Sequence, residues 1–146
     1  MAITSEICNS FKTEILTAVH NFTASTGNTF NLALYTSSAT LNKSTTAYSS
    51  TNEITNTSGS AYSAKGNALT SVTPVLSTDT AVCDFANTSW SSASFTANGC
   101  LIFNDSVASD PAVCAIAFGG DKTVTSGTFT IEFPAASAGT AIIGIA

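Results

Sequence analysis

Hydrophobic residues follow two different spacings along the chain, and the change of spacing separates a helix from a set of strands. Near the N-terminus they recur every three or four positions and form one apolar stripe: Ile7, Phe11, Ile15, Val19 and Phe22. This period predicts an amphipathic helix over about residues 5–22. Thr4 or Ser5 can cap its start, and Gly27 lies where the chain must leave it.

After Gly27 the spacing changes to two, which is the period of a β-strand. "TFNLALYTS" alternates Phe30, Leu32 and Leu34 with other residues and predicts a half-buried strand. "NALTSVTPVLS" predicts a weaker strand, interrupted by Pro74. Four more runs predict strands: "TAVCDFA" (80–86), "AVCAIAF" (112–118), "TFTIEF" (128–133) and "TAIIGIA" at the C-terminus.

The strongest local turn signal is Asn98-Gly99, which lies between two strand-like runs. Both central residues of a type I′ turn take positive φ, so this pair predicts a tight hairpin. Seven or eight short strands separated by Gly and Asn predict a mainly β protein, an antiparallel β-sandwich or barrel with one N-terminal α-helix. The length, 146 residues, fits a single domain over residues 1–146.

One long stretch, "STTAYSSTNEITNTSGSAYSAKG" (44–66), has neither spacing. Structureless loops of this length are uncommon inside compact domains and are usually functional or disordered. Its few large apolar side chains offer little to bury against the chain's own domain. We therefore predict a long polar loop or extended arm over about residues 42–66.

Composition and charge exclude several classes of function. The net charge is −5, with four lysines and no arginine, so the basic face that nucleic-acid binding needs is missing. No apolar run approaches the roughly 18 residues of a membrane span. The first residues show no secretory leader, which indicates synthesis in the cytosol and predicts that Cys8, Cys83, Cys100 and Cys114 are free thiols.

Catalytic and metal-binding patterns are also missing. His20 is the only histidine and lies at the end of the predicted helix, where a structural role is expected. Asn104, Asp105 and Asp110 share one loop but lack the spacing of a calcium-binding loop. Trp90 is expected in the core, with a sugar or protein contact as the alternative. We therefore predict a protein that is not an enzyme and holds no cofactor and no metal.

Four stretches together resemble a family of small virion structural proteins of tailed bacteriophages: "FNLALYTSSATLNKSTTAYSSTNE" (30–53), "GSAYSAKGNALT" (59–70), "DFANTSWSSASFTANGCLIFN" (84–104) and "FGGDKTVTSGTFTIEFP" (118–134). The resemblance implies a capsid decoration (cement) protein that is made in the host cytoplasm, resides in the virion and bridges major capsid protein or other virion subunits. It is compatible with a homo-oligomer on the particle. This chain has Asn31 and Asn98 near positions where relatives carry basic residues.

Two other classes stay open beside the decoration protein. One is a tail or baseplate component that binds the host surface, and the other is a non-viral adhesion or lectin-like module. In the decoration-protein interpretation, Tyr48, Ile54 and Tyr62 are spaced anchors on a polar arm that contact a partner subunit. The alternative for this arm is a surface loop without a partner.

Overall fold

The computed structural model describes residues 2–55 and 61–146. Within these residues the protein is mostly β, with a single short helix near the N-terminus. The elements in chain order are β1 (Glu6–Ile7), α1 (Asn9–Leu16), β2 (Phe30–Tyr35), β3 (Asn67–Ala68), β4 (Ser71–Ser77), β5 (Thr80–Phe85), β6 (Thr88–Asn104), β7 (Ala112–Ile131) and β8 (Ile143–Ile145).

The strands form two antiparallel sheets. The larger sheet has the order β1-β7-β6-β2-β3 and the smaller one the order β4-β5-β8. Strands β6 and β7 form a long hairpin joined by residues 105–111, and β2 pairs with the second half of β6. The mainly β, antiparallel fold with an N-terminal helix is confirmed, and the two separate sheets agree with a sandwich.

The core lies on β2 and on the halves of β6 and β7 that pair beside it. All six residues of β2 are buried, because both faces of this strand are covered. Aromatic rings join the core to the smaller sheet: Phe22 stacks on Phe30 with ring centroids 4.2 Å apart, and both contact Phe85. Trp90 is 3% exposed, so its predicted place in the core is confirmed.

The predicted helix over 5–22 is too long at both ends. Residues Glu6–Ile7 pair with β7 as a strand, and the N-cap is Cys8 in extended conformation rather than Thr4 or Ser5. The helix ends at Leu16, and Ala18 has a φ of 61°, which is incompatible with a right-handed helix. The apolar stripe persists beyond the helix because tertiary contacts, such as those of Phe22, bury its residues without helical backbone.

The predicted hairpin at Asn98-Gly99 is wrong, since both residues lie inside β6. Gly99 pairs with Tyr35 on one side and Ala117 on the other. A Cβ at this position would lie 2.6 Å from the Ile116 carbonyl oxygen. The glycine is therefore needed for close packing in a central strand, and not for a turn.

Glycine and proline also lie inside strands β7 and β4, at bulges. The register between β6 and β7 shifts between Ala97 and Gly99, opposite Gly119 and Gly120, which have φ of 75° and 142°. Pro74 lies in edge strand β4, where the register shifts between Val72 and Val75. Glycine and proline are tolerated at bulges because the ladder is locally interrupted there.

Candidate functional site

The described parts of the 42–66 segment lie along the larger sheet instead of extending from it. Backbone hydrogen bonds join Tyr48 N–H to the Asp110 carbonyl (3.0 Å) and Ile54 N–H to the Leu34 carbonyl (2.9 Å). Ala112 N–H donates to the Thr46 carbonyl at 2.9 Å. These bonds place the segment beside β2 and beside the start of β7, where it covers the core.

A buried carboxylate holds the two ends of the segment together. Glu53 is 6% exposed and accepts hydrogen bonds from the hydroxyls of Tyr48 (2.5 Å) and Tyr62 (2.7 Å) and from the Lys65 N–H (2.7 Å). The Tyr62 hydroxyl in turn accepts from the Leu34 N–H at 2.9 Å. We call Tyr48, Glu53, Tyr62 and Lys65 the Glu53 cluster. A buried charge with three donors is satisfied, as such groups must be.

The Lys65 side chain ties this cluster to the connection between β6 and β7. Its ammonium forms ion pairs with Asp105 (2.7 Å) and Asp110 (2.9 Å) and lies 5.7 and 5.9 Å from the ring centroids of Tyr48 and Phe103. The hydrogen bonds that its ammonium donates to both carboxylates raise the pKa of Lys65, so the ammonium stays charged. The Asp105–Asp110 loop, considered in the sequence for calcium, thus binds an internal cation.

The environment of the cluster keeps its hydroxyls protonated. Burial, followed by the hydrogen bond to Glu53, raises the pKa of Tyr48 to about 12. The same causes raise the pKa of Tyr62 further, well above the usual range of a phenol. Both tyrosines are therefore hydrogen-bond donors to a carboxylate at every physiological pH.

These positions correct the description of residues 42–66 as an extended arm. Tyr62 is fully buried, Ile54 is 6% exposed, and the half-buried ring of Tyr48 stacks on Phe103 with centroids 4.7 Å apart. Ile54 and Tyr62 thus present no exposed side chain to a partner. Residues 56–60, which the arm also included, lie outside the described residues.

Sequence reasoning missed the Glu53 cluster because it counted only apolar side chains in the segment. The signal was present, since Glu53 is the sole acidic and Lys65 the sole basic residue between residues 44 and 66. An isolated charge between tyrosines in an uncharged stretch is a candidate for a buried, paired group. The number of partners it gains depends on the tertiary fold and is not readable from the spacing.

His20 is part of a second internal network. Its Nε2 lies 2.7 Å from a carboxylate oxygen of Glu14, and its Nδ1 lies 3.1 Å from the amide of Asn104. The His20 side chain is completely buried, and Asn104 also donates to Asn28 Oδ1 at 3.0 Å. Both ring nitrogens are therefore engaged by protein groups, and the imidazole serves to fix the chain after α1.

A cleft of about 410 Å³ is lined by both His20 and Cys83, but its chemistry does not make the thiol a nucleophile. Burial raises the pKa of Cys83 to about 11, so the thiol stays protonated near neutral pH. Burial likewise raises the pKa of Cys8 to about 11 and that of Cys114 to about 12. All four cysteines are free, as predicted.

A metal-binding cluster and a membrane-spanning helix are both missing from residues 2–55 and 61–146. Among them, no group of three or more His, Cys, Asp or Glu side chains is placed to hold a metal ion. None of the helices in this part of the chain has the length and hydrophobicity to cross a membrane.

Comparisons with known proteins add no relative. A scan against protein-family models finds no match to the chain. Searches of curated proteins and of solved structures find no match either.

Proposed function

We propose that the protein is a non-enzymatic structural component of a tailed-phage virion, namely a capsid decoration protein that bridges and stabilises major capsid subunits. The observation that carries this proposal is that the side chains best suited to catalysis are occupied by hydrogen bonds or kept unreactive by burial within the fold. His20 bonds Glu14 and Asn104, Glu53 bonds two tyrosines, and the pKa of Cys83 is raised by burial.

The surface chemistry supports an assembly role as well. Only 9% of the residues are charged, so Ser, Thr and Asn supply most of the polar groups. Such groups form hydrogen bonds with a neighbouring subunit without the desolvation cost of buried charges. The resemblance of four stretches, taken in sequence order, to small phage virion proteins is what favours a tailed-phage virion over other assemblies.

The test uses particles of the phage that encodes this chain, with and without the gene. We expect particles without the protein to lose their DNA at lower temperature and at a smaller osmotic shock than complete particles. Equal resistance of the two preparations would refute the cement role. A second preparation contains a variant that is folded but carries charges on its exposed apolar residues. This control separates the loss of surface contacts from the loss of folding.

Copy number separates the alternatives from this proposal. Quantitative mass spectrometry of purified particles should give hundreds of copies per particle for a shell protein. A handful of copies would favour the tail or baseplate component, and absence from particles would favour the non-viral adhesion module.

A further inference from the structure

An apolar groove separates helix α1 from strand β8. Its volume is about 310 Å³, and its walls are formed by Phe11, Ile15 and Leu16 on the helix and by Ile143 and Ile145 on the strand. At the mouth of the groove Leu16 is 86% exposed and Ile145 is 55% exposed. Large apolar side chains exposed together on both walls of a groove mark a site of interaction.

One wall of this groove is an open sheet edge. Strand β8 is the last strand of the smaller sheet and bonds to β5 through the pairs Ala81↔Ile145 and Cys83↔Ile143. Among the described residues, no backbone hydrogen bond joins the other side of β8. Alternate N–H and C=O groups of the strand are therefore free to pair with another chain.

The two edges of the smaller sheet differ in a way that points to β8. The opposite edge, β4, carries Pro74 and a bulge, two devices that oppose the addition of a strand. Strand β8 carries neither a proline, a charge nor a bulge, and Gly144 lies between its two isoleucines. One edge of this sheet is thus protected against pairing, and the other is not.

Charge at the groove restricts what it accepts. Lys12 is the only charged residue among the described side chains that line it. Lys12 is exposed, and its ammonium donates to the Asn9 side chain at 3.1 Å; within the part of the chain that the structure describes, no carboxylate forms an ion pair with it. In a chain with net charge −5, this lysine favours an acidic group on the bound molecule.

We propose that the groove between α1 and β8 binds an extended strand of a second polypeptide. The strand adds to the free edge of β8, inserts alternate apolar side chains between Leu16 and Ile145, and places an acidic group at Lys12. This mode of recognition combines backbone hydrogen bonds with pockets for every second side chain. The proposal deepens the proposed function, on which the identification of the second polypeptide as a virion subunit rests.

The size of the site sets the strength of the contact. Strand β8 has three residues, so the added strand pairs over about 10 Å, at roughly 3.3 Å per residue. A single contact of this length is weak. Many copies on one particle would make the combined attachment strong, since linked weak contacts gain avidity.

The test measures binding of a defined peptide to the isolated, full-length protein. The probe is a fluorescein-labelled hexapeptide of alternating valine and threonine with a glutamate at one end, followed by fluorescence anisotropy. We expect saturable binding that is weakened at least tenfold by Ile145→Lys and by Leu16→Lys. Both substitutions replace exposed side chains, and circular dichroism melting verifies that the variants are folded.

Leu76→Lys is the matched control. Leu76 is 71% exposed and lies in the same cross-strand row as Ala81 and Ile145, but at the protected β4 edge. We expect this variant to bind the peptide within twofold of the original protein. A peptide in which proline replaces the threonines should not bind, because proline removes every second N–H donor and its fixed φ disfavours the extended backbone that strand pairing needs.

Three results would overturn the proposal: absence of saturable binding at millimolar peptide, equal weakening by Leu76→Lys, or equal binding of the proline peptide. Lys12→Glu tests the role of charge. This variant should bind a peptide that carries lysine more tightly than the peptide that carries glutamate. Because these measurements use no particles, peptide binding with unaltered particle stability would reject the cement role and leave the groove assignment intact.

Discussion

The three tyrosines provide a graded test of the Glu53 cluster, because each hydroxyl has a different set of partners. Tyr62→Phe removes a donor to the Glu53 carboxylate and the acceptor of the buried Leu34 N–H. Tyr48→Phe removes one bond to Glu53 at a half-buried site. Tyr35→Phe removes one neutral bond to the Ser49 carbonyl.

The expected costs follow from these partners. A hydrogen bond to a charged group contributes about 1.5–3 kcal/mol, and a buried N–H left without an acceptor costs about 1–3 kcal/mol. Tyr62→Phe should therefore lower the free energy of unfolding by about 3–5 kcal/mol. Tyr48→Phe and Tyr35→Phe should each cost about 1 kcal/mol, since water reaches Tyr48 and the Tyr35 bond is neutral.

Urea denaturation followed by circular dichroism measures these differences from the transition midpoints at constant slope. With roughly 2–4 °C per kcal/mol for a chain of this size, Tyr62→Phe should also lower the melting temperature by about 10 °C. The reasoning is refuted if Tyr62→Phe costs no more than Tyr35→Phe. The Tyr35 variant is the matched control, since it removes the same atom from a buried ring.

Three further predictions concern other parts of the molecule. Replacing residues 44–64 with a short Gly-Ser linker should unfold or strongly destabilise the isolated domain, because Ile54 and Tyr62 each contribute about 1.5–3 kcal/mol of burial; an unchanged melting curve would contradict this. Gly99→Ala should lower the urea midpoint, since its Cβ would lie 2.6 Å from the Ile116 carbonyl oxygen, whereas Gly127→Ala should cost less, because the nearest atom to its Cβ is at 3.4 Å and its φ is not positive. Burial raises the pKa of Cys114 from 9.0 to about 12. The folded state therefore holds this proton more tightly than the unfolded state, and the resulting stability is complete below pH 9 and is lost as the pH rises towards 12. The stability difference between the original protein and Cys114→Ala should shrink between pH 8 and pH 10.5, and a constant difference would refute the assignment.

Local patterns in the sequence predicted the type of fold but not the ends of its elements. The two-residue spacing identified the strand at Phe30–Tyr35, the strand at Thr80–Phe85 and the C-terminal strand. The apolar stripe also identified a helix, but it could not show that Glu6–Ile7 pairs with β7 or that the helix stops at Leu16. Those limits are set by partners distant in the sequence.

The turn signals failed for a related reason. Glycine permits both a tight turn and a close approach between strands, and sequence does not distinguish the two uses. At Asn98-Gly99 the neighbour that decides is Ile116, which the chain brings to β6 only after residues 105–111 reverse its direction. The residues of the Glu53 cluster are close together in the sequence, but their partners Leu34, Asp105 and Asp110 lie outside that stretch, so its spacing does not show how they are buried and paired.

The order of strands in the larger sheet has a consequence for the speed of folding. Strands β6 and β7 are neighbours in the sequence and can pair early, whereas β2 must find β6 across the whole of β3, β4 and β5. Contacts between distant segments require closure of a long loop before they contribute stability, and proteins dominated by such contacts fold in milliseconds to seconds. We therefore expect the late step to be the docking of β2 on a preformed β6–β7 hairpin. Until then the apolar stretch 100–103 has one edge open, which makes this interval the one in which the chain is most prone to aggregate.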